Sequence, residues 1–266
     1  MNAVKKVYGE LMAFVDNFAN STTGDSPDCK EPENAKAWYA EWEDNYLGDF
    51  IDNAITRSIL RKVADSYYGD QLDGLLRRST LLTARSYPSL YSVYEDCCQK
   101  LGIYEKPKVY VTGEIQGANA LSIEVKGQQL ILIGRRVGMS LTEKEQSFVI
   151  GHELGHHQQG NLVCHTVNGL LDNLNNTSEV FGPLIADTIE VPLKRWCRCS
   201  EFNADRAGLI CCGDIDCVEG LFNKLGMQEP MTAFVQFQEL EESHPHLHTR
   251  FSVLSNYEIT PKPIGV

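Results

Sequence analysis

Two histidines four residues apart, with a glutamate beside the first, stand in Gly151-His152-Glu153-Leu154-Gly155-His156-His157 as an H-E-x-x-H pattern. On a helix, side chains at i and i+4 project from one face about one turn apart. Two neutral imidazoles at this spacing can bind one metal ion without bending the backbone. Glu153 then points beside the metal, where a carboxylate can take a proton from an activated water. A catalytic zinc needs a third protein ligand and one position left for water. Ser200-Glu201-Phe202-Asn203-Ala204-Asp205-Arg206-Ala207-Gly208 offers Glu201 as that ligand. Asp205 lies four residues further on the same helical face, where it can accept the free ring N–H of a ligand histidine and orient it. Each piece also has a plainer reading. Short patterns occur by chance, and Glu201 with Asp205, taken alone, reads better as two solvated acids on a surface helix.

The metal reading requires His152 to His156 to be helical. Thr142 and Glu145 have the spacing of a capping box, and Phe148, Val149, Ile150 and Leu154 supply an apolar side, which predicts a helix from about Glu143 to about Gln158. Val4, Val7, Leu11, Phe14, Val15 and Phe18 predict an opening amphipathic helix, and Asn20 to Asn34 a loop. Ala35 to Leu82 reads as helical, with an aromatic stripe of Trp38, Trp42, Tyr46 and Phe50 that belongs in a core. Pro88 opens a helix that Gly102 stops after Leu101. The period then changes. Lys108 to Val111 reads as a strand, and Ala120 to Val125 with Gln128 to Ile133 as a hairpin around Lys126-Gly127. Beyond the motif helix the chain reads as mostly helical to Ile259, with breaks near Gly182-Pro183, Gly213-Asp214 and Glu229-Pro230. The expected fold is mainly α with a small antiparallel β-sheet, an α+β class. Residues 1–85 are expected to form a helical extension packed on a domain of residues 86–266.

Charge narrows the partners. With 24 Lys and Arg against 36 Asp and Glu, the net charge of -12 repels phosphate backbones, so nucleic acid is not an expected partner. The start, Met1-Asn2-Ala3-Val4-Lys5-Lys6, leads into a segment broken by Glu10 and Asp16 rather than a secretory apolar core. The longest apolar stretches fall far short of a membrane span, so a soluble, cytoplasmic protein with no transmembrane segment is expected. Nine cysteines in such a compartment read as reduced thiols. Cys197, Cys199, Cys211, Cys212 and Cys217 fit no C-x-x-C knuckle and read as small buried apolar residues.

Three motifs taken together carry a resemblance: H-E-L-G-H at His152 to His156, S-E-x-x-A-D-x-x-G at Ser200 to Gly208, and S-H-P-x-x-x-x-R from Ser243 to Arg250. In this order they resemble the gluzincin metallopeptidases of the HtpX and CAAX prenyl endopeptidase family, over roughly Tyr87 to Tyr257. The resemblance implies a zincin-like fold, with His152, His156 and Glu201 as ligands of one zinc ion per chain. It also implies Glu153 as general base and later proton donor, and Asp205 as support for a ligand histidine. His244 resembles the family histidine that helps stabilise the oxyanion, and Arg250 its partner arginine. Asn119-Ala120 is similar to the family's segment on the cleft edge, where an extended peptide pairs with the backbone. Many relatives are membrane enzymes; this chain has no spanning segment, so prenylated membrane substrates are not implied. His157, His246 and His248 receive no role. The implied function is a zinc endopeptidase acting on a peptide or protein substrate. The alternatives are a scaffold that holds zinc without turnover, and an enzyme kept latent by its own N-terminal residues.

Overall fold

The computed structural model describes residues 54–160, 162–175, 191–227 and 244–257. The expected opening helix, the loop from Asn20 to Asn34, the aromatic stripe, and the breaks at Gly182-Pro183 and Glu229-Pro230 lie outside them. The described chain begins with α1 (Ala54–Arg77) and β1 (Thr80–Leu81), followed by α2 (Pro88–Leu101). Next come β2 (Lys108–Thr112), β3 (Ala120–Val125), β4 (Gln128–Gly134), α3 (Arg135–Ser140) and α4 (Glu143–Gln159). After these come α5 (Leu162–Asn175), α6 (Val191–Cys212), α7 (Ile215–Lys224) and α8 (Leu247–Ser255). The α+β class is therefore the one observed, and the chain breaks at Gly213-Asp214 as expected.

Two local readings need correction. The helix expected to run to Leu82 ends at Arg77, because Thr80 and Leu81 pair antiparallel with Val111 and Tyr110 of β2. The sheet is also mixed rather than antiparallel. Its order is β1-β2-β4-β3, and β2 runs parallel to β4. The physical reason is the crossover: the chain leaves β2 for the far edge, forms β3 there, and returns through a two-residue turn so that β4 fills the centre. Lys126 and Gly127 both take positive φ (52° and 65°), the twist that a two-residue hairpin needs and that glycine supplies freely. Asp65 of α1 accepts the Lys126 N–H at 2.5 Å and Asp73 receives its ammonium at 3.2 Å, so α1 holds the turn.

The sheet separates two packing layers. Val109, Val111, Ala120, Ile131 and Ile133 join Leu90, Cys97, Phe148, Ile150 and Leu154 in the main core. The opposite face buries Val125 and Leu130 against Leu72, with Tyr68, Leu76 and Ile123 around them. Of the five cysteines read as small buried residues, Cys197, Cys211 and Cys212 are buried, while Cys199 and Cys217 are half-buried. Among the described residues no helix is long and apolar enough to cross a membrane.

The motif helix α4 is fixed at its start. Thr142 Oγ1 accepts the Glu145 N–H, and Glu145 Oε2 accepts the Thr142 N–H at 2.8 Å, a reciprocal capping box. Lys224 donates to the other Glu145 oxygen at 2.5 Å. Burial pushes the Glu145 carboxyl up, but Lys224 and Thr142 outweigh it and hold the group below its usual value. A depressed folded pKa gives stability that is present above the unfolded value and lost as pH falls through the folded one. Glu145→Gln is therefore expected to cost about 1 kcal/mol near neutral pH. Urea unfolding at pH 7 and pH 3 checks this, and a deficit as large at pH 3 as at pH 7 counts against the capping carboxylate.

α4 and α6 approach closely because small residues line the contact. A Cβ on Gly155 would sit 2.9 Å from Ala204 Cα, one on Gly151 2.7 Å from Cys211 Sγ, and one on Gly208 2.8 Å from Phe148 O. That approach brings the face of α4 bearing His152 and His156 against the face of α6 bearing Glu201.

Candidate metal centre

His152 and His156 lie one turn apart on α4, with their Nε2 atoms 3.1 Å from each other. Glu201, from α6, places Oε1 3.2 Å from His156 Nε2 and Oε2 3.5 Å from His152 Nε2. One ligand atom from each of the three residues falls within 4.8 Å of the others, a group that could hold a metal ion. Two imidazole nitrogens and one carboxylate oxygen suit a divalent ion such as zinc. The outer nitrogens fit as well. His152 Nδ1 is 3.0 Å from Asp205 Oδ1, an acceptor that holds the ring proton on Nδ1, and His156 Nδ1 is 3.2 Å from Ser200 Oγ, so each imidazole has a partner on its outer nitrogen with Nε2 facing inward.

Arg250 joins the two acids. It reaches from α8 to donate to both Asp205 oxygens, through Nε at 2.8 Å and Nη2 at 2.6 Å, and its Nη1 lies 3.2 Å from Glu201 Oε2. Burial alone raises both carboxyls. Arg250 outweighs it, holding Asp205 below and Glu201 well below the usual range, with His244 and His156 adding to the effect on Glu201. For His152, burial favours the neutral ring, while Asp205 and Glu201 more than offset it and raise the pKa.

Glu153 is buried and lines the same cavity of about 440 Å³, together with Asn119, Ala120, His244 and Arg250. Its Oε2 accepts a hydrogen bond from Ser122 Oγ at 2.6 Å. His244, largely exposed, sits at the mouth with Nε2 3.4 Å from Glu201 Oε1. All nine residues singled out from the sequence as site residues are thus brought to one place. His157, which received no role, does not line the cavity, and neither do His246 and His248, which are half-buried.

Three contributors escaped the sequence reading. Ser122 is a small polar residue at the centre of an apolar strand, on the same side as Ala120, and that alternation was the available signal. Ser200 immediately precedes Glu201. His165 of α5 lies 2.9 Å from Ser200 Oγ and packs edge-on against His156, with ring centres 4.3 Å apart. Burial, then the neighbouring His156, pushes His165 well below the ordinary histidine value, so it is neutral. A lone histidine on an unremarkable helix carries no sequence signal.

The cavity runs along the outer edge of the sheet. Asn119 Oδ1 accepts the Ala120 N–H at 2.9 Å, and Thr166 Oγ1 accepts the Glu124 N–H at 3.0 Å. Alternation along the β3–β4 ladder turns the Ser122 N–H and C=O to the same outer side, between these two caps.

Comparison with known proteins agrees with this geometry. The chloroplastic plastoglobule-localized metallopeptidase 48 of Arabidopsis thaliana is 30% identical over 148 residues, 55% of this chain and 42% of that protein. The chain therefore spans about two fifths of the length of that curated relative. The model of peptidase family M48 matches residues 84–258, about two thirds of the chain and every residue of the site described above, so the chain belongs to peptidase family M48.

Proposed function

We propose that the protein is a zinc-dependent endopeptidase that hydrolyses internal peptide bonds with Glu153 as general base. The observation that carries this reading is one cavity holding a buried His-His-Glu donor set, a buried carboxylate that is not part of it, and a strand edge. His152, His156 and Glu201 would hold the zinc. Bound there, zinc supplies Lewis acidity that makes water a nucleophile at neutral pH and polarises a peptide carbonyl. Glu153 takes the proton from the attacking water and returns it to the leaving amine. Ser122, donating to Oε2, fixes the carboxylate and leaves Oε1 to meet the water. His244 donates from the mouth of the cavity to the oxygen that gains negative charge. Asp205 orients His152, and Arg250 holds Asp205 and Glu201 ionised. Asn119 and Ala120 frame the edge on which the substrate backbone lies, pairing in the manner of an added strand.

Residues 86–266 would form the peptidase domain, with residues 1–85 packed on it as an extension; the hold of α1 on the β3–β4 turn supports that arrangement. Its compartment would be the cytoplasm, where the free cysteines among the described residues stay reduced.

Chelator dialysis tests the reading. One zinc per chain is expected by elemental analysis, and its removal should abolish cleavage of a quenched peptide library, with both restored on adding zinc. A site saturated about 1,000-fold over Kd adds about 4 kcal/mol, so the apo protein should melt lower by about 10 °C. Zinc at full occupancy with no cleavage of any library peptide would turn the reading toward a metal-stabilised scaffold.

A further inference from the structure

A second cavity, of about 400 Å³ and open on one side, lies across β3 from the helix bearing His152, bordered by α1, the sheet and α5. Its walls are apolar: Tyr68, Leu72 and Leu75 from α1, Leu121 and Ile123 from β3, and Leu132 from β4. Leu121 and His165 line this chamber and the catalytic cavity alike, so the two spaces meet at the β3 edge. Leu121 stands there with 48% of its surface exposed, an apolar side chain without full cover. The polar groups in the lining are engaged elsewhere. Thr166 caps the Glu124 N–H, and Arg78 pairs with Glu114 at 3.0 Å.

Side chains of a strand alternate between the two faces of its sheet. A peptide laid along β3 therefore divides its side chains between the two spaces. The residue opposite Ser122 faces the side where Ser122 meets Glu153. Its neighbours, opposite Leu121 and Ile123, face the chamber.

We propose that this chamber is the specificity pocket of the enzyme, taking one bulky apolar side chain, of leucine or phenylalanine size, from the residue next to the one held at Ser122. The inference rests on the peptidase reading and names the substrate class for it. A lysine side chain would lose its water there and meet no acid in the lining, and an aspartate would meet only Arg78, which is 62% exposed and already paired with Glu114. Half of the named wall belongs to α1, which precedes the family match beginning at residue 84, so selectivity would be set by a part of the chain outside that match. α1 is anchored for this task by Asp65 and Asp73 on Lys126, and by Arg61 on Glu124 at 2.5 Å.

The test uses the full chain carrying Glu153→Gln and fluorescently labelled alanine-based octapeptides with a single Leu, Phe, Asp or Lys at successive positions, read by anisotropy. Wild-type cleavage of the same peptides is followed in parallel. Leu or Phe at one position is expected to tighten binding about ten- to a hundred-fold over alanine, with Asp and Lys no better than alanine there. Leu75→Trp, which fills the chamber, should erase or reverse that preference while zinc content stays at one per chain. If Leu75→Trp does not fold, Leu121→Ala should reduce the preference at least threefold. Peptides that bind or are cleaved with no apolar preference, or a preference untouched by these variants, overturn the pocket and leave the peptidase standing. If no peptide is bound by the variant or cleaved by the wild type, the peptidase reading falls and the pocket with it.

Discussion

Glu153→Gln is expected to lower kcat/KM for peptide hydrolysis by about three to four orders of magnitude while zinc content and melting temperature stay as in the wild type. The size follows from the role: a positioned general acid–base contributes about 10²- to 10⁴-fold, and Glu153 is proposed to act twice, taking a proton from water and giving it to the amine. An amide can do neither. The substitution is otherwise gentle. The glutamine oxygen can still accept the Ser122 hydroxyl, which lies 2.6 Å from Oε2 in the wild type, so the side chain keeps its place. It is not one of the three residues grouped around the metal position. Elemental analysis, thermal unfolding and initial rates on one quenched peptide separate the cases. A variant that keeps a tenth or more of the wild-type rate removes Glu153 from the mechanism.

Arg250→Ala should be the most destabilising change in the site, by about 3–5 kcal/mol in the zinc-free protein. The guanidinium is 12% exposed and faces two carboxylates that are 1–3% exposed; removing it leaves two buried negative charges with only the neighbouring imidazoles to offset them. Zinc would neutralise part of that charge at Glu201, so the loss in loaded protein should be the smaller of the two. Arg250→Lys should recover only part, because one ammonium cannot reproduce the two bonds to Asp205 and the contact with Glu201. The pH dependence has a definite sign. Asp205 and Glu201 titrate below their unfolded values, so their contribution is present above the unfolded carboxylate range and disappears as pH falls through the folded values. Without Arg250 those folded values rise, and acid unfolding should begin at higher pH. Denaturant titrations of apo and zinc-loaded protein between pH 4 and pH 8 check both statements. A loss below 1 kcal/mol in the apo protein would show that Arg250 is not what keeps the two acids charged.

The local chemistry was legible wherever it is written in contiguous residues. Thr142 and Glu145 announce the start of α4, His152 and His156 share a face by spacing alone, and Lys126-Gly127 marks the hairpin. What was not legible depends on partners distant in sequence. Two residues, Thr80 and Leu81, carry no periodicity, and only β2, some thirty residues later, makes them a strand. The parallel β2–β4 pair follows from where the hairpin docks, which neither strand encodes by itself. Ser122 and Glu153 are 31 residues apart and His165 and Ser200 are 35 apart, so their contacts exist only once α4, α5 and α6 are packed.

The two side-chain caps on β3 also bear on how copies of this chain behave toward each other. An edge strand with a long row of outward N–H and C=O groups is a template for a neighbouring molecule and a starting point for aggregation. Here Asn119 takes the N–H at the start of the strand and Thr166 the one at Glu124, so the stretch between them centres on Ser122. Such a stretch would register a short peptide and be too short to nucleate a continuous intermolecular sheet. Under the proposed function, one arrangement would thereby keep the edge accessible to an extended peptide while limiting polymerisation of the protein with itself.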